Sequence, residues 1–364
     1  MGDMRRSVVI APDSFKGSVT ADAAAAAIAA GWRLLRPADE VRLLPQADGG
    51  EGTLAAIESA VPAAVRHKVH GVTGPDGRPT DAAWLELPNG VAVVELAESS
   101  GLPLMAAPDA LGATTRGLGE VIRTAVDFGA DSLVIAVGGS ASTDGGAGAL
   151  QALGLRLLLA DGSEIGPGGC GLLQLHQVDS RELVAPPAGG VTLLTDVAAP
   201  LLGPTGAAAV FGPQKGATPD DVRKLENALA RYSSLLGGDS TLAGVGAAGG
   251  TAYGFATVWN AAVEPGAAWI AKVTGLPEAI RSADAIITGE GRFDSTSLDG
   301  KVVGNVIRLA GSSWVGVIAG TVAVEHDVWA VGLAELAGSV EAALAEPERW
   351  LTQAGRAAAA HFGS

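Results

Sequence analysis

The sequence predicts a two-domain α/β protein. A flavodoxin-like parallel-sheet domain, residues 1–60 plus 280–364, carries an inserted mixed-sheet α/β domain at 61–279. Three observations predict it. Both ends of the chain read as short apolar strands, each followed by a polar loop and a helix, as in the βα units of a parallel sheet. From Val61 onward hairpin signals replace that pattern and mark antiparallel strands. Charged residues gather in Gly-rich strand-end loops, where open α/β sheets bind ligands.

In chain order, residues 7–13 form the first strand, which delivers Asp13, Ser14 and Lys16 to its carboxyl end. Thr20 is suited to cap an Ala-rich helix over 21–35, with Asp22 favourable in its first turn. Residues 41–44 make a second strand, leading through Ala47-Asp48-Gly49-Gly50-Glu51-Gly52-Thr53 into a helix that runs through Ala60. Residues 67–72, 82–87 and 91–97 read as strands separated by Gly74-Pro75-Asp76-Gly77 and Pro88-Asn89-Gly90, the last two strands as a hairpin.

A helix over 114–128 precedes the apolar strand 133–137, which ends in Gly138-Gly139-Ser140-Ala141-Ser142-Thr143-Asp144-Gly145-Gly146. Amides and hydroxyls in that loop suit a phosphate or carboxylate. A short helix follows over 147–153, then strands at 155–159 and 191–195, the second delivering Asp196 to a sheet edge. The loop Phe211-Gly212-Pro213-Gln214-Lys215-Gly216 precedes a helix over 219–236, with Thr218 as N-cap and Pro219 first in the helix.

After Leu276-Pro277 the βα pattern returns. Residues 285–287 form a strand, and Gly289-Glu290-Gly291-Arg292-Phe293-Asp294-Ser295 reads as a polar loop. Lys301 then opens a helix whose Val302, Val303, Val306, Ile307 and Ala310 recur at helical spacing. Residues 314–319 form a strand ending at Gly320-Thr321, residues 331–336 a fifth, and 341–345 with 350–361 are terminal helices. Two strands before the insert and three after it complete the parallel sheet.

Composition narrows the function. The 364 residues are 48% hydrophobic and 17% charged, enough for a sizeable core and against global disorder. A net charge of −15 argues against a nucleic-acid partner, whose phosphates demand Lys/Arg surfaces. The single cysteine, Cys170, forms no internal disulfide and fits a reducing cytoplasm. Met4-Arg5-Arg6 is basic, but Val8-Val9-Ile10 is too short for a secretory h-region, and no apolar run is long enough to span a membrane. A homo-oligomer is left open.

The chemistry is read from the loops. Unpaired amides at helix starts attract anions. Arg292 and Lys301 suit a phosphate or carboxylate; Glu290 and Asp294 suit Mg²⁺ or a hydroxyl proton. The set reads as phosphoryl transfer. Gly244, Gly246 and Gly249 spell GxGxxG, but no strand precedes them, so a dinucleotide site and a dehydrogenase are disfavoured.

APDSFKGS at 11–18, ADGGEGT at 47–53, GGSASTDGG at 138–146, FGPQKGAT at 211–218, AAGG at 247–250 and TGEGRFDSTSLDGK at 288–301 stand in one order. In these stretches the chain resembles the bacterial glycerate kinases of type 1, the class that includes the glycolate- and galactarate-pathway enzymes. It departs at Ser142-Thr143-Asp144, where the family usually has Thr-Asn-Asp, and at Ala199-Pro200, where an Asn usually precedes the proline. The resemblance implies ATP-dependent phosphorylation of D-glycerate with Mg²⁺, both substrates held between the two domains, with 2-phosphoglycerate favoured as product.

On that reading the catalytic candidates are Asp196 as base, Arg292 on the glycerate carboxylate or the transferred phosphoryl, and Lys301. Lys16 and Lys301 suit the phosphate chain. Substrate or nucleotide would be bound by Asp13, Ser14, Lys16, Gly49, Gly50, Gly138, Gly139, Ser140, Lys215, Gly249, Gly250, Gly289 and Gly291. Asp48, Glu51 and Asp294 are the metal candidates, with Asp13 as an alternative and Asp13, Asp48 or Asp294 as a second base. The competing reading is a non-catalytic phosphate- or nucleotide-binding regulator on the same fold. Binding alone does not require cations and acidic loops to occur together.

Overall fold

A computed structural model describes residues 5–362; Met4 of the basic start lies outside them. The chain forms two compact units. Of the described residues, the first comprises 5–48, 55–62 and 265–362, the second 49–54 and 63–264.

The first unit is built on a five-stranded sheet, ordered Trp329–Gly332, Trp314–Val322, Ala285–Phe293, Ser7–Ile10, Glu40–Leu43. Every neighbouring pair is parallel. Numbered along the chain, that is the 2-1-3-4-5 order of a flavodoxin-like sheet. Side chains alternate across it. Val8, Ile10, Ala285 and Ile287 face the helices Ala21–Leu35 and Pro347–Phe362, whereas Val9, Ile286 and Val317 face Gly266–Val273, Leu276–Arg281 and Val302–Ala310. Both faces are therefore covered, as a parallel sheet requires. Thr20 Oγ1 accepts the Ala23 amide and caps the first helix.

Two expectations are corrected here. Gly289 to Phe293, read as loop, continue the Ala285–Phe293 strand, because Glu290 pairs with Ala319, Arg292 with Thr321 and Phe293 with Val322. The fifth strand is Trp329–Gly332, and Leu333–Ala337 is helical. Strand and helix meet there inside one apolar run, whose local pattern does not separate them.

The second unit holds a six-stranded sheet, ordered Ala262–Glu264, Val191–Leu194, Ser132–Ala136, Val91–Glu95, Pro79–Glu86, Val65–Thr73. The first four run parallel, and the last two add antiparallel pairings. Val191–Leu194 is an inner strand, so Asp196 lies beyond an interior strand end and not at a sheet edge; the short Ala262–Glu264 strand, invisible in the local pattern, flanks it. One apolar core, containing Trp84, Val94, Leu133, Ile135, Leu193, Tyr232 and Phe255, supports this sheet.

Candidate active site

Each unit places a cluster of functional side chains at the carboxyl ends of its parallel strands. In the first unit, Ser7–Ile10 runs on to Asp13, which is buried and whose amide donates to the Gly289 carbonyl at 2.8 Å. The Ser14 amide donates to Asp13 Oδ1 at 2.6 Å. Burial, and then the negative charge of Asp48, push the Asp13 carboxyl well above its usual range; the Ser14 amide and Lys16 pull it back, and Glu290 adds to the rise. The Glu290 carboxyl is also raised by burial, and its Oε1 is buried with no hydrogen-bond partner among the described residues. Lys16 Nζ stands 3.7 Å from Asp48 Oδ2. Asp13, Asp48, Glu290 and Lys16 are thus brought to one locality, and Lys301 and Asp294 also act on Glu290.

The remaining candidates of the first unit are held by local contacts. Asp294 caps the helix Ser295–Leu298: its Oδ1 accepts the Thr296 amide at 2.9 Å and the Thr296 hydroxyl at 2.7 Å, while its Oδ2 meets Arg292 Nε at 3.1 Å. Those bonds hold its carboxyl below the usual range. Arg292 is largely exposed, and Lys301 Nζ donates to Thr296 Oγ1 at 3.2 Å. Gly289 and Gly291 lie on the strand; a Cβ at Gly289 would fall 2.1 Å from the Ile318 carbonyl, so its role is close strand approach.

In the second unit, Val91–Glu95, Ser132–Ala136 and Val191–Leu194 end side by side. They deliver Glu95, the loop from Gly138 to Gly146, and Asp196. Gly49 and Gly50 lie across these ends. The Gly138 amide donates to the Gly49 carbonyl at 2.9 Å, and a Cβ on Gly138 would come within 2.5 Å of Gly50 Cα. Glu95, which was not singled out in the sequence, clamps the same segment by accepting the amides of Gly52 and Leu54, each at 3.0 Å. Burial raises its carboxyl to about 7. A Glu closing an apolar strand was the available signal. Glu51 is exposed on this segment.

Lys215 is fully buried. Its ammonium donates to Ser140 Oγ at 2.9 Å and to the Ser142 carbonyl, and burial lowers its pKa to about 7. Asp144 anchors the loop from the other side, accepting from the Thr115 amide and hydroxyl at 2.9 and 2.8 Å and from the amides of Gly146 and Gly148. Ser142 Oγ and Thr143 Oγ1 are buried without a hydrogen-bond partner among the described residues, Thr143 being one of the family departures. Gly249 explains the GxGxxG spacing. With φ +65° its carbonyl accepts the Gly145 amide, and a Cβ there would lie 2.2 Å from the Ser142 carbonyl. Gly250, at φ +86°, continues that left-handed turn. These glycines dock one loop on another; they do not open a dinucleotide site.

Lys215→Met should therefore lower kcat/KM by about 10- to 100-fold, the worth of one or two charge-assisted hydrogen bonds. The wild-type pH profile should carry a limb near neutrality that the variant lacks. If the variant only lowers Tm and both profiles coincide, the ammonium is structural.

The donor set bears on Mg²⁺. Among the described residues no three His, Cys, Asp or Glu side chains are grouped to hold a metal ion, so Asp48, Glu51 and Asp294 are not a ready-made ligand set. Mg²⁺ characteristically takes one or two carboxylates and completes its shell with phosphate oxygens and water. Asp13, whose proton affinity burial and the neighbouring Asp48 charge raise, and Asp48 itself, with the buried Glu290 oxygen beside them, fit that requirement.

A family model described as the glycerate kinase family matches residues 8–362. The chain is 42% identical over 320 residues to a glycerate kinase of Bacillus subtilis (strain 168), covering 85% of this chain and 83% of that protein. It is 40% identical over 312 residues to a glycerate 2-kinase of Escherichia coli (strain K12), covering 83% and 81%. A crystal structure assigned as a glycerate kinase 2 from Salmonella typhimurium LT2 superposes with a TM-score of 0.79 at 36% identity, covering 99% of this chain and 98% of the other.

Proposed function

The chain belongs to the glycerate kinase family, and from that premise we propose that it transfers the γ-phosphoryl group of ATP to the 2-hydroxyl of D-glycerate, with Mg²⁺, in the cytoplasm. The observation that carries the reading is the gathering of Asp13, Asp48, Glu290 and Lys16 at the carboxyl ends of a parallel sheet, where phosphates and their counter-ions are held. Binding alone does not require these carboxylates and the cations Lys16, Lys301 and Arg292 to occur together.

Phosphoryl transfer needs alignment, charge neutralisation and a proton acceptor. In this reading Asp13 and Asp48 hold the metal, whose chemistry there is to neutralise charge on the phosphate oxygens. Lys16 and Lys301 bind the phosphate chain, and Arg292 takes the transferring phosphoryl. Ser140, Gly138 and Gly139, held by Lys215, bind the glycerate carboxylate, and Asp196 accepts the hydroxyl proton.

Phosphorus NMR of the product from ATP, Mg²⁺ and D-glycerate tests the reaction and its position together: 2-phosphoglycerate is expected, and 3-phosphoglycerate would overturn the assignment to the 2-hydroxyl. Equal turnover of glycerol would remove carboxylate recognition. Arg292→Lys keeps the charge but loses the planar fork, so kcat/KM for ATP should fall by about tenfold or more in steady-state kinetics. Wild-type kinetics in that variant would take Arg292 out of the site.

A further inference from the structure

The first unit contains an apolar slot of about 180 Å³ that the reaction described above does not use. Its floor is formed by Gly291 and Gly320, near the carboxyl ends of the Ala285–Phe293 and Trp314–Val322 strands. Phe15 and Leu333 line it from the buried side. Val340 and Leu344, on the short helix Val340–Ala345, line it from the open side and are 46% and 57% exposed. Large aliphatic side chains left in water beside a preformed hollow call for an apolar occupant.

The position of the slot narrows what that occupant is. The rim is a tight hairpin in which the amides and carbonyls of Phe15 and Val19 pair at 2.8 and 3.0 Å, presenting Lys16 and Ser18. Lys16 borders the slot, while its ammonium lies 3.7 Å from Asp48 in the acidic cluster. One cation thus stands between an apolar hollow and the carboxylates that fit a metal-bound polyphosphate. A nucleotide has the matching anatomy, a flat weakly polar base joined through ribose to a charged chain. The volume suits a ring system and is too small for a whole nucleotide, drug-sized ligands filling roughly 300–1,000 Å³.

We propose that this slot is the base subsite of the nucleotide, receiving the purine ring between Phe15 and Leu333 on one side and Val340 and Leu344 on the other, with the phosphates leaving past Lys16. The inference rests on the kinase reading and names where that substrate's base is held. Among the described residues Lys16 is the one charged side chain lining the slot, and Ser18 and Thr321 are its two polar ones, too few to read a base edge. Recognition is therefore by shape and apolar contact, and other purine nucleotides should be accepted with similar affinity.

Calorimetric titration of the full chain with Mg²⁺·ADP and with Mg²⁺·tripolyphosphate tests it, since the second probe has the phosphates and no base. Leu344→Asn, at an exposed position and without added charge, should weaken ADP by about tenfold or more, the worth of a buried aliphatic contact, and leave tripolyphosphate unchanged. Val340→Ser should act in the same direction and serves if the first variant does not fold. Unchanged ADP affinity in a folded variant overturns the subsite, leaves the kinase reading intact and assigns the slot to another occupant. An equal loss for both probes also overturns it, because the phosphate site would then be what was disturbed. A wild-type chain that binds neither probe overturns the nucleotide reading itself, and the subsite with it.

Discussion

Asp13→Asn should give a protein that is more stable near neutral pH and at least about 10²-fold slower. The rate loss follows from removing a carboxylate ligand of the metal that would neutralise and align the phosphates, an electrostatic contribution commonly worth 10²–10³ in kcat. The stability gain follows from the sign of the proton linkage. Burial, and next the Asp48 charge, raise the Asp13 carboxyl from 3.8 to about 8. The folded state therefore binds a proton more tightly than the unfolded chain between those values. Where the folded state holds more protons, stability falls as pH rises. Wild-type protein in metal-free buffer should thus lose stability from about pH 4 to about pH 8, and the Asn variant should lack that part of the slope. Thermal melts across this range check the first half. Added Mg²⁺·ADP should then raise the wild-type Tm more than the variant's, because the ligand supplies the positive charge that the carboxylates lack. A variant with the same pH slope as wild type would show that Asp13 is not the group held protonated.

Asp196→Asn should lower kcat by roughly 10²–10⁴-fold while D-glycerate and ATP bind nearly as before, the range expected when a general base is lost. Asp196 follows the inner strand Val191–Leu194, and the adjoining Thr195 is fixed by its amide, which donates to the Glu264 carbonyl at 3.1 Å, and by its hydroxyl, which accepts the Val197 amide at 3.2 Å. A half-buried carboxylate on such a support keeps its direction, which a proton acceptor needs. Asn keeps the shape and loses the basicity. Calorimetric affinities measured beside steady-state kinetics separate a lost base, which lowers kcat alone, from a lost binding contact, which raises KM. Near wild-type kcat would take the role from Asp196 and pass it to Asp13, a strand-end carboxylate whose proton affinity burial raises.

Much of this molecule is written locally. Thr20 before an Ala-rich helix, Thr218 and Pro219 before another, and the alternation of Val8, Val9 and Ile10 between two cores all follow from short-range stereochemistry and periodicity. The motifs at 11–18, 47–53, 138–146 and 288–301 likewise named segments whose side chains the fold gathers at the carboxyl ends of parallel strands. Local pattern failed where a neighbour decides. Gly289 to Phe293 carry every signal of a loop, yet the ladder to Trp314–Val322 extends them as strand. Ala262–Glu264 is too short to have a period, and is a strand because Val191–Leu194 offers it hydrogen bonds.

The chemical state of the site belongs wholly to tertiary structure. Lys215, named in the sequence as a binding candidate in a Gly-Pro loop, is buried because the Gly138 to Gly146 turn closes around its ammonium. Glu95 ends an unremarkable apolar strand, and only the fold lays the amides of Gly52 and Leu54 against it. Asp13 looks like any strand-end aspartate until Asp48 and Glu290 arrive beside it. Residue identity and short-range order therefore determined the elements, the motifs and the class of reaction. Proton affinities, the division of labour among the carboxylates and the apolar slot depend on desolvation and on charges distant in sequence, quantities that exist only once the chain has brought those groups together.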